Sequence, residues 1–281
     1  MGSNGFSIRI GDFNNDGYPD LMILTEIPSI LTVKTKVNLF KSIPCTIKLC
    51  TLDQTNKLLR TFILVENGVE DLNLIENPIA ASFFDVGETG TLDIFVTSKT
   101  NTGEKRIDIL LNNFFNDAFF LKSLVTNTAS LKPYGVNYNG GTLKFSVTDT
   151  NGIRRPRVIS QLPQTSYMAL NTPYTLIGLG RTNNYIDDLF VGTSLNQTDH
   201  FAHFTGVIPN SQLIIIPKGD VDSWRVEMIV NPSKWILGVL GFLGGMLLFL
   251  GLVVWFFQRR EDWEDEEERK RDAHLFNFEA L

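Results

Sequence analysis

The sequence predicts a mainly β protein carried on one membrane-spanning helix. Residues 235–257 form a run of 23 without a charge. Residues 1–230 alternate short Val-, Ile-, Phe- and Thr-rich runs with clusters of Asn, Gly, Asp and Pro. No long apolar stripe of 3.6-residue period precedes the uncharged run.

The membrane segment is the sharpest feature. Trp235 to Phe257 reads WILGVLGFLGGMLLFLGLVVWFF. At 1.5 Å per residue it makes about 34 Å of helix, enough for a hydrocarbon core of roughly 30 Å. Trp235 and Trp255 stand near its ends, where indole rings favour the interface. Gly241 and Gly245 give a G-x-x-x-G spacing, a candidate face for self-association of the helix in the bilayer. Arg259, Arg260, Arg269, Lys270 and Arg271 follow the span, against Lys218, Arg225 and Lys234 before it. The bias places the C-terminus in the cytosol.

The opening MGSNGFSIRIGDFNNDG has neither the apolar core nor the cleavage pattern of a signal peptide. Two expectations follow: an N-terminal part is missing, or the chain is inserted by its tail with the β-region in the cytosol.

The β-rich runs include LMIL at 21–24, RTFILV at 60–65, LDIFVTS at 92–98, TLKFSV at 142–147 and LIIIP at 213–217. Just before the first lies GDFNNDGYPD at 11–20. Asp12, Asn14, Asp16 and Asp20 occupy positions 1, 3, 5 and 9 of a calcium loop, with Gly17 at position 6 and the Tyr18 carbonyl at position 7. Calcium takes six to eight oxygens, so carboxylates and amides must converge from one tight turn. Ile23 stands where an EF-hand has its bidentate Glu, and a strand follows. The reading is a calcium loop in a β-setting; an Asp/Asn-rich turn without metal is the alternative. A degenerate copy occurs at FDVGETGTLDIFV, 84–96, where Asp85, Gly90 and Asp93 match positions 1, 6 and 9. Gly87 and Thr89 replace the ligands between, so the turn is kept and the ligand set is short of oxygens. An Asp-led loop running twice into an apolar strand is an internal repeat, as in propellers and arrays. A propeller needs about four to eight blades, and residues 1–125 hold material for about two.

Residues 130–230 lack such a loop and read as a compact β-sandwich beside the membrane. Asn196-Gln197-Thr198 is an N-glycosylation sequon. Cys45 and Cys50 can close a small disulfide if a turn lies between them, or stand as two unpaired thiols. The tail carries seven acidic residues between Glu261 and Glu268, then Arg269, Lys270 and Arg271. A solvated helix or disordered tail is one reading. The other is a cytosolic docking segment anchored by Leu275, Phe276 and Phe278.

No catalytic constellation is legible. His200 and His203, three apart, have no evident third ligand, His274 stands in the tail, and neither a phosphate loop nor G-x-S-x-G is present. The net charge of −6 argues against a nucleic-acid surface, which would need clustered Lys and Arg.

The loop at 11–24 resembles the FG-GAP repeats of integrin-type β-propellers. With GLGRTNNYIDDLFVG at 178–192, IPNSQLIIIP at 208–217, the single span and the ending RDAHLFNFEAL, the chain resembles the T-cell immunomodulatory protein family, also called linkin. The resemblance covers nearly all of the chain but half or less of a full-length member. It implies incomplete FG-GAP blades over 1–128, a C2-like β-sandwich over 129–231, a transmembrane helix at 235–257 and a cytosolic charged tail at 258–281. It further implies a type I single-pass glycoprotein of the plasma membrane or secretory pathway, with calcium as a structural tie rather than a catalytic centre. Its expected work is cell adhesion or modulation of immune cells through extracellular protein partners. A tail-anchored scaffold and a propeller-type secretory-pathway hydrolase are the alternatives.

Overall fold

The computed structural model describes residues 7–28, 33–57, 59–100, 102–114, 117–127, 136–164, 170–182, 185–194, 200–217, 224–230 and 235–274. The chain divides into two compact units, Met1–Val230 and Asn231–Leu281.

The first unit begins with four strands paired antiparallel in sequence order: β1 (Ser7–Gly11), β2 (Asp20–Pro28), β3 (Val33–Pro44) and β4 (Arg60–Leu64). A short helix α1 (Leu52–Asn56) lies between β3 and β4. Its N-cap Thr51 forms a reciprocal capping box with Gln54. Another short helix, α2 (Glu70–Leu74), leads to a second antiparallel meander of β5 (Pro78–Phe84), β6 (Asp93–Lys99) and β7 (Lys105–Leu110). Neither helix has the length to show as a periodic stripe in the sequence. Met22, Leu24, Val37, Leu39, Phe83 and Val96 form a core shared by the two meanders.

The remaining strands build two stacked sheets. One has the order β11-β10-β13-β14, from β10 (Thr142–Thr148), β11 (Arg154–Ser160), β13 (Ile186–Gly192) and β14 (Phe201–Val207). The other has the order β12-β8-β15-β16, from β8 (Phe119–Asn127), β12 (Thr175–Gly180), β15 (Ser211–Ile216) and β16 (Arg225–Val230); β9 (Val136–Asn137) pairs with β8. β8 and β15 run parallel; the other pairs are antiparallel. Alternating inward residues such as Leu143, Phe145, Val147, Leu189, Val191, Leu213 and Ile215 fill the space between them. Gln161 closes one end: its amide takes the N–H of Val125 at 2.9 Å and donates to the carbonyls of Val125 and Tyr138.

One strand pairs across the sequence-based division at 128. β8 falls inside the segment 1–128 read as blades, yet it hydrogen-bonds within the sandwich. Its Lys-containing FFLKSLV pattern gave no sign of which sheet would take it. β12 is buried on both faces. Ile177 and Leu179 join the sandwich core, whereas Leu176 joins the core of the meanders. One strand thus serves both layers, which explains the unbroken apolar run.

The second unit contains helix α3 (Trp235–His274), 40 residues long. It carries the one stretch among the described residues long and apolar enough to cross a membrane, and none of that stretch is buried. The helix does not stop at Phe257 but continues through the charged segment. Arg260 pairs with Glu264 at 3.0 Å and Arg271 with Glu267 at 3.4 Å, each one turn apart. Such exposed pairs are worth about 0.3–0.5 kcal/mol each and extend the helix rather than create it. Gly241 and Gly245 lie on the helix surface with open space around their Cα atoms. Leu275, Phe276 and Phe278 lie outside the described residues.

Candidate metal site and its companion loop

The two Asp-Gly loops, 11–20 and 84–93, connect β1 to β2 and β5 to β6. They share one backbone. In each, the residue at position 4 is left-handed, Asn15 at φ 55° and Glu88 at φ 51°. In each, the glycine at position 6 also has positive φ, Gly17 at 82° and Gly90 at 79°, where a side chain would be strained. The first Asp carboxylate closes both turns. Asp12 accepts from the N–H groups of Asp16 at 3.1 Å and Gly17 at 2.8 Å. Asp85 accepts from Thr89 at 2.8 Å and Gly90 at 3.2 Å. The Asp at position 9 ties each loop to the far side of its meander: Asp20 accepts from the N–H of Ser42 in β3 at 2.8 Å, and Asp93 accepts from the N–H of Asn112, two residues past β7, at 2.8 Å.

The loops differ in how their charge is met. Asp85 is fully buried, and the ammonium of Lys122 from β8 reaches it at 3.0 Å. Lys122 is itself buried and lies over the Tyr174 ring, 4.3 Å from its centroid. The second oxygen of Asp93 takes the N–H of Val86 at 3.0 Å. The degenerate loop therefore carries its own cation, supplied by a strand of the sandwich.

The first loop has no such lysine. Asp12 and Asp20 are buried, at 2% and 0% exposure. Asp12 receives a third N–H, from Gly178 of β12, at 2.9 Å. Asp20 Oδ2 is buried with no partner in hydrogen-bond geometry, although the N–H groups of Ser42 and Phe13 temper the site. Burial, with the neighbouring acidic charges of Asp16 and Asp20, pushes Asp12 up to about 7. Burial pushes Asp20 up to about 7 as well, with Asp16 adding to it. Asp16, half-buried, meets the Arg60 guanidinium at 3.5 Å, and Asn14 sits beside it. Among the described residues no three His, Cys, Asp or Glu side chains converge as a ready metal cluster. A ligand set here needs the Asn14 amide and the Tyr18 carbonyl besides the carboxylates. Its chemistry, all oxygen and with one carboxylate oxygen unpartnered, suits a hard cation.

Other sequence candidates lie apart. Cys45 and Cys50 are joined in a disulfide across a turn, their Cα atoms 5.6 Å apart. His203 bonds Asp188 at 2.8 Å and stacks on Phe190, 4.4 Å between centroids. Asn196 lies outside the described residues. Sequence reasoning missed Lys122 and Gly178, which meet the loops from 37 and 166 residues away. Their only signals were a lysine inside an apolar strand and a Gly-x-Gly in another.

A family model described as the C2 domain of ITFG1 matches residues 133–229. The human T-cell immunomodulatory protein is 32% identical over 288 residues, covering 98% of this chain and 46% of its own length. A relative of the same name from Macaca fascicularis is also 32% identical, with 98% of this chain and 90% of its own length covered. Protein linkin of Caenorhabditis elegans is 28% identical, with 97% and 47% covered. The chain thus spans about half the length of the rat, mouse and human relatives. No solved structure matches.

Lys122→Met should strand the Asp85 carboxylate and lower stability by about 3–5 kcal/mol in urea titration. Adding Asp85→Asn should recover part of that loss; no recovery would mean that Lys122 acts through packing alone. The pH dependence follows from the raised carboxyls. With divalent ions chelated, Asp12 and Asp20 hold protons in the folded chain that the unfolded chain releases near pH 4. Their contribution is full below about pH 4 and lost as pH rises to about 7. The melting temperature in chelator should therefore fall across that interval more steeply than in an Asp20→Asn variant. Parallel profiles would contradict it.

Proposed function

The chain belongs to the T-cell immunomodulatory protein family, and on that premise we propose that it is a membrane-anchored binding module whose work is recognition rather than catalysis. The observation that carries this reading is the pairing of a compact β unit, Met1–Val230, with an unburied apolar helix that follows it directly. The names of the relatives support an immune-modulating role, and the match to a C2 domain supports a binding rather than a chemical one. In this reading the β unit lies outside the cell, the helix spans the bilayer and the charged end of α3 is cytosolic. Protein partners engage the β-surfaces in adhesion or immune signalling.

The finer parts of the proposal rest on the loops. The two meanders are FG-GAP-type blades of a propeller. The first loop holds a structural calcium through Asp12, Asn14, Asp16, Asp20 and the carbonyl of Tyr18. The buried, unpartnered oxygen of Asp20 supports this, since a divalent ion would supply the charge that Lys122 supplies to Asp85. When bound, calcium contributes charge neutralisation and rigidity and takes no part in a reaction. Gly241 and Gly245 offer a face on which two spans can associate.

The topology is tested by glycosidase digestion of the chain expressed in cells, with Asn196→Gln beside it. A mobility shift that vanishes in the variant is expected. A chain that enters the membrane without gaining a glycan, while an engineered sequon in the tail is used, would overturn the outside placement.

A further inference from the structure

We propose that the first loop is a cation-dependent clasp that holds the β1–β4 meander onto the sandwich, so that calcium governs the docking of these two layers. The proposal rests on the calcium reading above and goes beyond it: the ion would act on a joint, not only on its own turn.

The residues that would ligate the ion are those that make the joint. Asp12 Oδ2 accepts the N–H of Gly178 on β12. The carbonyl of Asn15, between two ligand positions, accepts the N–H of Gly180 at 3.1 Å. Backbone meets backbone closely here, since a Cβ on Gly178 would lie 2.2 Å from the Asn15 carbonyl carbon. Tyr18, whose carbonyl is the position-7 ligand, is gripped through its side chain. Arg155 of β11 donates to its hydroxyl at 2.9 Å. The guanidinium groups of Arg60 and Arg157 lie 3.4 and 4.3 Å from its ring centroid. Ligation therefore fixes both the loop and the surface it presents to β11 and β12.

The companion loop shows the same joint in permanent form. Asp85 meets the sandwich through Lys122 of β8, and Gly90 packs so tightly on Phe120 that a Cβ would come within 2.0 Å of its ring. There the cation is part of the polypeptide. In the first loop Arg60 reaches only the half-buried Asp16, and the cation for the buried Asp12 and Asp20 comes from solution, so one joint is constitutive and the other conditional. Asn15 links the two, its amide donating to the carbonyl of Gly90 at 3.1 Å.

Hydrogen exchange on the full chain in detergent micelles, in millimolar calcium and in chelator, tests this, with calorimetry on the same samples. Calcium should bind. In chelator, the amides of Gly17, Gly178 and Gly180 should exchange about tenfold faster or more, while Thr89 and Gly90 keep their protection. Because coupling is reciprocal, Tyr18→Phe, which keeps the carbonyl and removes the hydroxyl bond to Arg155, should weaken calcium binding by about fivefold. Binding heat with unchanged exchange at Gly178 and Gly180 would overturn the clasp and leave the calcium reading standing. Absence of binding heat would overturn both. Loss of protection throughout the sandwich, β13 and β14 included, would also overturn it, since the ion would then hold the whole unit.

Discussion

A buried carboxylate must be met by positive charge or by enough hydrogen-bond donors, because desolvating an unmatched charge costs several kcal/mol. Each meander of this protein turns on such a carboxylate. Asp12 and Asp85 close their loops with backbone N–H groups, and those loops set the register in which β1 meets β2 and β5 meets β6. In the first loop Arg60 reaches only Asp16, and the buried Asp12 is met by backbone N–H groups, whereas an ammonium meets the buried Asp85 of the second. The position of the sandwich against the meanders follows, since its strands β8 and β12 bring Lys122 and Gly178 to the two carboxylates.

The same constraint explains why β12 is apolar on both faces. A strand that donates N–H groups to the first loop must lie within backbone contact of it, which only glycine permits at position 178. Its neighbours then bury alternately into two cores, Leu176 toward the meanders and Ile177 and Leu179 toward the sandwich. The chain from Met1 to Val230 behaves as one compact unit for this reason.

Much of the architecture is legible in the residues themselves. The β-rich runs at 21–24, 92–98, 142–147 and 213–217 are strands because their Val, Ile, Phe and Leu side chains alternate into cores, and the apolar run from Trp235 opens a helix. The loop repeat is also legible, since Asp at position 1 and Gly at position 6 are demanded by local geometry. What closes each loop is not legible. Lys122 and Gly178 are distant in sequence, and no local preference distinguishes a lysine that meets Asp85 from one that faces water. The placement of β8 was hidden likewise, because strand pairing is decided by partners far along the chain. The helical course of the charged tail to His274 lay between two open readings, since acidic residues followed by basic ones suit a helix without requiring one.

We infer that Lys122 completes the charge of one loop and that a diffusible ion completes the other. Calcium titration by calorimetry of the full chain in detergent, beside Asp20→Asn and Asp85→Asn variants, tests it most directly. One calcium per chain is expected, abolished or strongly weakened by Asp20→Asn and retained in Asp85→Asn. No binding, or two equivalent sites of which Asp85→Asn removes one, would contradict it.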